Sequence, residues 1–189
     1  MNKRYISASE LLEDSFSLGV KILESDFRPS FIVGVWRGGA PIGIAVQELL
    51  EVCGVATEHI AIRTSSYEKI GERNKLVKVH GLGYLIDTIK ADDNLLIVDD
   101  VHDSGLSVAE LIKQIQNRCA DNMPQAIKVA TVYFKPEQSK VNFIPDYYLH
   151  TTNDWLVFPH ELQGLTPEEL ADNKPEVAAI VQQLAKLKK

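Results

Sequence analysis

The segment Leu95-Leu96-Ile97-Val98-Asp99-Asp100-Val101-His102-Asp103-Ser104-Gly105-Leu106-Ser107 constrains this chain more than any other. Its four apolar residues read as a strand. The strand runs into two adjacent carboxylates, and a third acid sits in the turn that follows. Beyond Ser104, Gly105 and Ser107, the residues Val108, Leu111, Ile112 and Ile115 mark an amphipathic helix. Ligands of open α/β sheets bind beyond the carboxyl ends of the strands. A helix start presents free N–H groups and partial positive charge to an anion. Serine hydroxyls and a close-approach glycine complete a cradle for a phosphate monoester. The carboxylates before it suit sugar hydroxyls and a hydrated Mg²⁺, an ion that prefers oxygen ligands and keeps several waters. A phosphorylated sugar beside a metal is the ligand this pattern implies.

The rest of the chain alternates helix signals with short β-branched runs, the pattern of an α/β fold with a parallel sheet. Ser7-Ala8-Ser9-Glu10 has capping-box spacing. Leu11, Leu18 and Ile22 then recur on one helical face, with Leu12, Phe16 and Leu23 beside them. Phe31–Trp36 reads as a buried strand, broken at Gly38-Gly39, and Pro41 opens a helix through Leu50. Ile60–Ile62, Ile127–Phe134 and Tyr147–Leu149 are further strands. Residues 64 to 80 are polar and charged with little periodicity, as in a functional lid. Thr166-Pro167-Glu168-Glu169 starts one late helix and Pro175 another, which ends in Lys186, Lys188 and Lys189.

Composition removes several function classes. The 189 residues are 45% hydrophobic and 24% charged, as in a globular protein with a core. The net charge of −6 argues against a broad phosphate-neutralising face for nucleic acid. Cys53 and Cys119 are far apart, so a disulfide framework or thiolate zinc site is not expected. The five histidines, at 59, 80, 102, 150 and 160, show no metal spacing and read as structural or surface residues, with an active-site neighbour as the lesser alternative for His102. No apolar run reaches the roughly 18 residues of a membrane span, and Met1–Ser7 lacks the apolar core of a signal peptide. A cytoplasmic protein is expected.

Asp99 through Ser107 resembles the phosphoribosyl pyrophosphate (PRPP) motif of type I phosphoribosyltransferases, with serine in both hydroxyl slots. Three further segments match in the same order. Trp36-Arg37-Gly38-Gly39 stands where this family has its pyrophosphate loop, which often contains a non-proline cis peptide, so one is expected near Arg37-Gly38. Ser65-Ser66-Tyr67, with Arg73, resembles the mobile lid of the 6-oxopurine branch, and Lys69, Lys75 and Lys78 add positive charge. Lys135-Pro136, with Trp155-Leu156 further on, resembles the base site of the xanthine-guanine enzymes. Trp36, where the family usually has a small residue, and His102, in the variable slot between the acids, depart from the pattern.

The resemblance implies a Rossmann-like parallel sheet flanked by helices, with a small C-terminal base-binding hood. One domain is expected over residues 1–189: a helical extension over about 1–30, the hood over about 135–165 and C-terminal helices over about 166–189. The implied reaction joins PRPP to N9 of a 6-oxopurine and gives a nucleoside 5′-monophosphate and pyrophosphate, with Mg²⁺. Asp103 would be the general acid/base. Asp103, Ser104, Gly105, Leu106 and Ser107 would hold the 5′-phosphate, and Asp99 and Asp100 the ribose and, through waters, the metal. Lys135 would donate to the purine O6, which disfavours the 6-amino group of adenine. Trp155 would stack on the ring, and the backbone at Leu156 would read its exocyclic edge. A homodimer or homotetramer is the implied assembly. The alternative is a non-catalytic PRPP-sensing regulator that binds nucleic acid; a duller one is an α/β domain with no PRPP site.

Overall fold

The computed structural model describes residues 3–68 and 75–185. Contacts divide the chain into two units, residues 12–153 and residues 1–11 with 154–189.

The larger unit is built on a six-stranded sheet. Its strands are β2 (Phe31–Trp36), β3 (Glu58–Glu68), β4 (Lys75–His80), β5 (Asn94–His102), β6 (Ala126–Phe134) and β7 (Tyr147–Thr151), and the spatial order is β4-β3-β2-β5-β6-β7. All neighbours are parallel except β3 and β4. The order reverses between β2 and β5, which pair from Phe31↔Leu95 to Gly34↔Val98. Loops leaving the two strands there diverge and open a crevice.

Helices cover both faces, so the central strands are apolar without alternation. Phe31, Val33, Val35, Leu95 and Ile97 join a core with α3 (Leu82–Thr88) and α4 (Leu106–Cys119), to which Leu85, Val108, Leu111 and Ile115 contribute. On the opposite face α2 (Gly39–Val52) lies against the sheet. A Cβ built on its Gly43 would be 3.6 Å from the Gly34 Cα and 4.0 Å from Ile32 and Val98 side-chain atoms. Leu18 and Ile22 of α1 (Ala8–Leu23) are fully buried, whereas Leu12 and Phe16 stay exposed.

Residues 64–80 depart from the expected loop. Described residues on both sides form an antiparallel pair, from Arg63↔His80 to Glu68↔Lys75. Thr64, Ser65 and Tyr67 are compatible with a strand, but a pair at the sheet's edge needs no apolar alternation to form. Helix α3 is also absent from the sequence reading, because Gly83 interrupts a seven-residue stripe.

The smaller unit joins both chain ends. Strand β1 (Lys3–Tyr5) pairs in parallel with β8 (Trp155–Val157), so the first residues are not purely helical as expected. The unit with Trp155 and Leu156 begins at Asp154 and draws in residues 1–11; it does not span 135–165. Helices α5 (Pro167–Asn173) and α6 (Pro175–Ala185) complete it. The capping box of α5 forms as read: the Thr166 side chain accepts from the Glu169 N–H, and Glu169 Oε2 from the Thr166 N–H.

Candidate active site at the carboxyl ends of the central strands

The carboxyl ends of β2, β5 and β6 bring three predicted segments together. Strand β5 is longer than the sequence suggests: Asp99 and Asp100 lie within it, with Asp99 opposite Thr131, and it ends at His102. Asp99 Oδ1 accepts from the Asp100 N–H at 3.0 Å, and Asp100 Oδ1 from the Val101 N–H at 2.8 Å. Burial, and then the charge of Asp100, push the Asp99 carboxyl well above the usual carboxylate range. Two close carboxylates that resist joint ionisation could share a cation. Their donors are all oxygen, which fits Mg²⁺. Among the described residues no group of three or more acidic, His or Cys side chains could enclose a metal, so other ligands would be waters or substrate oxygens.

The loop after β5 is the candidate phosphate cradle. Gly105, with φ +73°, is the N-cap of the 14-residue α4, and no side chain caps that helix start. Of its first N–H groups, that of Leu106 donates to Ser104 Oγ at a long 3.5 Å, a contact that an anion can replace. Ser104 and Ser107 flank the opening. The Ser104 carbonyl accepts from the Lys140 N–H at 3.0 Å, and the His102 carbonyl from the Lys135 N–H at 2.9 Å. The chain after β6 thus straps the cradle. The half-buried Asp103 side chain makes no hydrogen bond or ion pair with a described residue.

Beneath the cradle lies His102, the site residue the sequence reading undervalued. It is 2% exposed, and neither ring nitrogen has a partner among the described residues. Its ring meets Phe134 and Phe143 edge-on, at 5.5 and 5.4 Å between centroids. Burial lowers its pKa, against the opposing charge of Asp103. A Cβ on Gly105 would sit 2.6 Å from its Nε2 and 2.5 Å from Val141. Glycine is needed there for close approach as well as for its φ.

The loop after β2 faces the same crevice. Trp36-Arg37 is a cis peptide, one bond before the expected Arg37-Gly38. Gly38 is the N-cap of α2, again with no side-chain cap. Arg37 and Trp36 are exposed. The two glycines do more than admit an anion. A Cβ on Gly38 would strike the Asp100 carboxylate, and one on Gly39 would lie 2.2 Å from the Val98 carbonyl oxygen. The loop rests directly on β5.

After β6, Lys135 is only 6% exposed, and its side chain makes no hydrogen bond or ion pair with a described residue. Buried lysines are normally paired, and this ammonium has no acceptor among the described residues. On the β3–β4 arm, Ser65 Oγ lies 2.9 Å from His80 Nε2. The backbones of Ser66 and Tyr67 pair with Val77 and Leu76. Lys69 and Arg73 lie outside the described residues. In the smaller unit, Trp155 is 56% exposed and Leu156 is buried.

The family model of the phosphoribosyl transferase domain matches residues 7–163. A hypoxanthine-guanine phosphoribosyltransferase of Lactococcus lactis is 28% identical over 182 residues, which cover 95% of this chain and 91% of that protein. A xanthine-guanine phosphoribosyltransferase of Desulfotalea psychrophila is 30% identical over 164 residues, covering 84% of this chain and 86% of its own. Among solved structures, a purine phosphoribosyltransferase from Pyrococcus horikoshii Ot3 is similar with a TM-score of 0.66 and 26% identity, over 88% of this chain and 99% of that one.

Proposed function

This chain belongs to the phosphoribosyl transferase domain family, and from that premise we propose that it is a purine-salvage enzyme. It would move the 5-phosphoribosyl group of PRPP to N9 of a 6-oxopurine, giving a nucleoside 5′-monophosphate and pyrophosphate. One observation carries this reading: two helix starts without side-chain caps and an acidic strand meet where the strand order reverses. That arrangement suits a ligand with a phosphate at one end and a pyrophosphate at the other. The relatives' names, hypoxanthine-guanine and xanthine-guanine phosphoribosyltransferase, support the base class.

Each residue then has a task. Ser104, Ser107 and the N–H groups at Gly105 and Leu106 hold the 5′-phosphate. Asp99 and Asp100 orient the ribose hydroxyls and accept hydrogen bonds from metal-bound waters. Arg37, with the backbone of Trp36, Gly38 and Gly39, neutralises the pyrophosphate as the bond to C1′ breaks. Mg²⁺, held through waters by Asp99 and Asp100, would supply further charge neutralisation of that leaving group. Asp103 exchanges a proton at purine N7 as general acid/base. Lys135 donates to O6, Trp155 stacks on the ring, and the Leu156 backbone reads the exocyclic edge. Ser65, Ser66, Tyr67 and Arg73 form a lid that excludes water.

A homodimer or homotetramer in the cytoplasm goes with this reading. Exposed Trp36 and Ile44 line one mostly apolar cavity of about 240 Å³, a surface suited to a subunit contact. No described helix is long and apolar enough to cross a membrane.

The test is product identification. PRPP labelled in its ribose, incubated with Mg²⁺ and hypoxanthine, guanine or xanthine, should yield a labelled nucleoside 5′-monophosphate by mass spectrometry. No labelled nucleotide with any of the three would defeat the proposal.

A further inference from the structure

We infer that Lys174 is a positioning residue for the purine base: its buried ammonium gathers three carbonyls and fixes the chain that leaves Trp155 and Leu156. The inference rests on the base-site role proposed above for those two residues.

Lys174 is 4% exposed. Its Nζ donates to the carbonyls of Phe158 at 2.5 Å, Pro159 at 3.1 Å and Glu161 at 2.7 Å. All three of its donors are used. Among the described residues it forms no ion pair at contact distance, so three carbonyls meet the buried cation directly, with the Glu161 and Glu176 charges nearby. Burial lowers its pKa from the ordinary lysine value, the mark of an ammonium taken out of water. An apolar side chain would fill the same space at less cost. What the ammonium adds is a fixed position for the turn of backbone at residues 158–161.

That backbone follows the base-reading strand directly. The Phe158 N–H donates to Glu161 Oε2 at 3.1 Å, and the Glu161 N–H to the Phe158 carbonyl at 3.0 Å. Phe158 is buried, and its ring stacks on His160. Upstream, β1 pairs with β8 from Lys3↔Trp155 to Tyr5↔Val157, and the Ile6 N–H closes on the Val157 carbonyl at 3.0 Å. Residues 155–161 are therefore held from both ends of the chain, by β1 and by Lys174. Downstream, the Lys174 N–H caps α5 by donating to the Leu170 carbonyl at 2.8 Å. An exposed indole on so fixed a backbone is pre-organised for stacking, which lowers the ordering cost of binding a base.

The test is the split between kinetic constants in Lys174→Met. KM for the 6-oxopurine should rise about tenfold, while kcat and KM for PRPP stay within about twofold, as for a loss of uniform binding to one substrate. Glu161→Ala loosens the same loop from the Phe158 N–H and should show the same split; it carries the test if Lys174→Met does not fold. An unchanged KM for the base in a folded variant would overturn the inference. So would a parallel rise in both KM values with a lowered Tm, which marks a merely structural role. If the wild-type chain shows no 6-oxopurine-dependent turnover, the proposed function fails first and this inference with it.

Discussion

Gly38 and Asp100 lie so close that no side chain fits between them: a Cβ on Gly38 would be 1.7 Å from Asp100 Oδ2 and 2.2 Å from its Cγ. The loop after β2 and the carboxylate on β5 are thus set by one contact. Accommodating a larger residue at 38 means turning the Asp100 carboxylate away.

Gly38→Ala should therefore damage function more than stability. The obstructing atoms belong to a short side chain that can rotate, but it is one the site uses. kcat/KM for PRPP should fall by about 10- to 100-fold, with Tm lowered by less than about 4 °C. Steady-state kinetics and a melting curve on the same preparation check this.

Gly39→Ala should do the reverse. Its Cβ would meet backbone, 2.2 Å from the Val98 oxygen and 2.9 Å from the Asp99 Cα, in the central strand of the sheet. Neither atom can rotate away. Overpacking of this kind costs about 1–3 kcal/mol, and each kcal/mol lowers Tm by about 2–4 °C at this chain length. Calorimetry of the two glycine variants side by side measures the contrast.

Lys135→Met removes a buried ammonium with no described partner. Tm should not fall, because no hydrogen bond within the described chain is lost. Preference for a 6-oxopurine over adenine should drop by about 10- to 100-fold, the value of one donor to O6. The ratio of kcat/KM for guanine and adenine reads this directly.

Stability should depend on pH through Glu169. The Lys3 ammonium, bonded at 2.5 Å, and then the Thr166 N–H hold its carboxyl below the ordinary 4.5. A depressed carboxylate contributes stability above 4.5, and that contribution is lost as pH falls through the folded-state value. Glu169→Gln should melt below wild type at neutral pH, and the two curves should converge once the pH has fallen through the folded-state value. A gap that persists in acid would contradict the assignment.

The chemistry was more legible in the sequence than its supports were. Asp99 to Ser107 announced an acidic strand end and a glycine-capped helix start because strand, turn and helix start are contiguous there. The contacts that shape the cradle are not contiguous. Gly39 against Val98, and Val141 against Gly105, join loops of different strands. His102 looked like a filler between two acids; only the fold buries it under Gly105 between Phe134 and Phe143. The same limit hid the edge strands. Lys3–Tyr5 is too short to show alternation and is a strand only because Trp155–Val157 lies beside it. Lys174 carried no motif at all, since its role depends on three carbonyls 13 to 16 residues away.

The central claim is that the cradle between Asp99 and Ser107 transfers phosphoribosyl to a 6-oxopurine, with Asp103 moving the proton. The most direct measurement is pyrophosphate release from PRPP and Mg²⁺, for wild type and Asp103→Asn, with hypoxanthine, guanine, xanthine, adenine, orotate and uracil in turn. Release by wild type with at least one 6-oxopurine and none of the last three is expected. Asp103→Asn should turn over about 10²- to 10⁴-fold more slowly while still binding PRPP. No release with any 6-oxopurine would contradict the proposed reaction, and wild-type turnover in Asp103→Asn would contradict the role of Asp103.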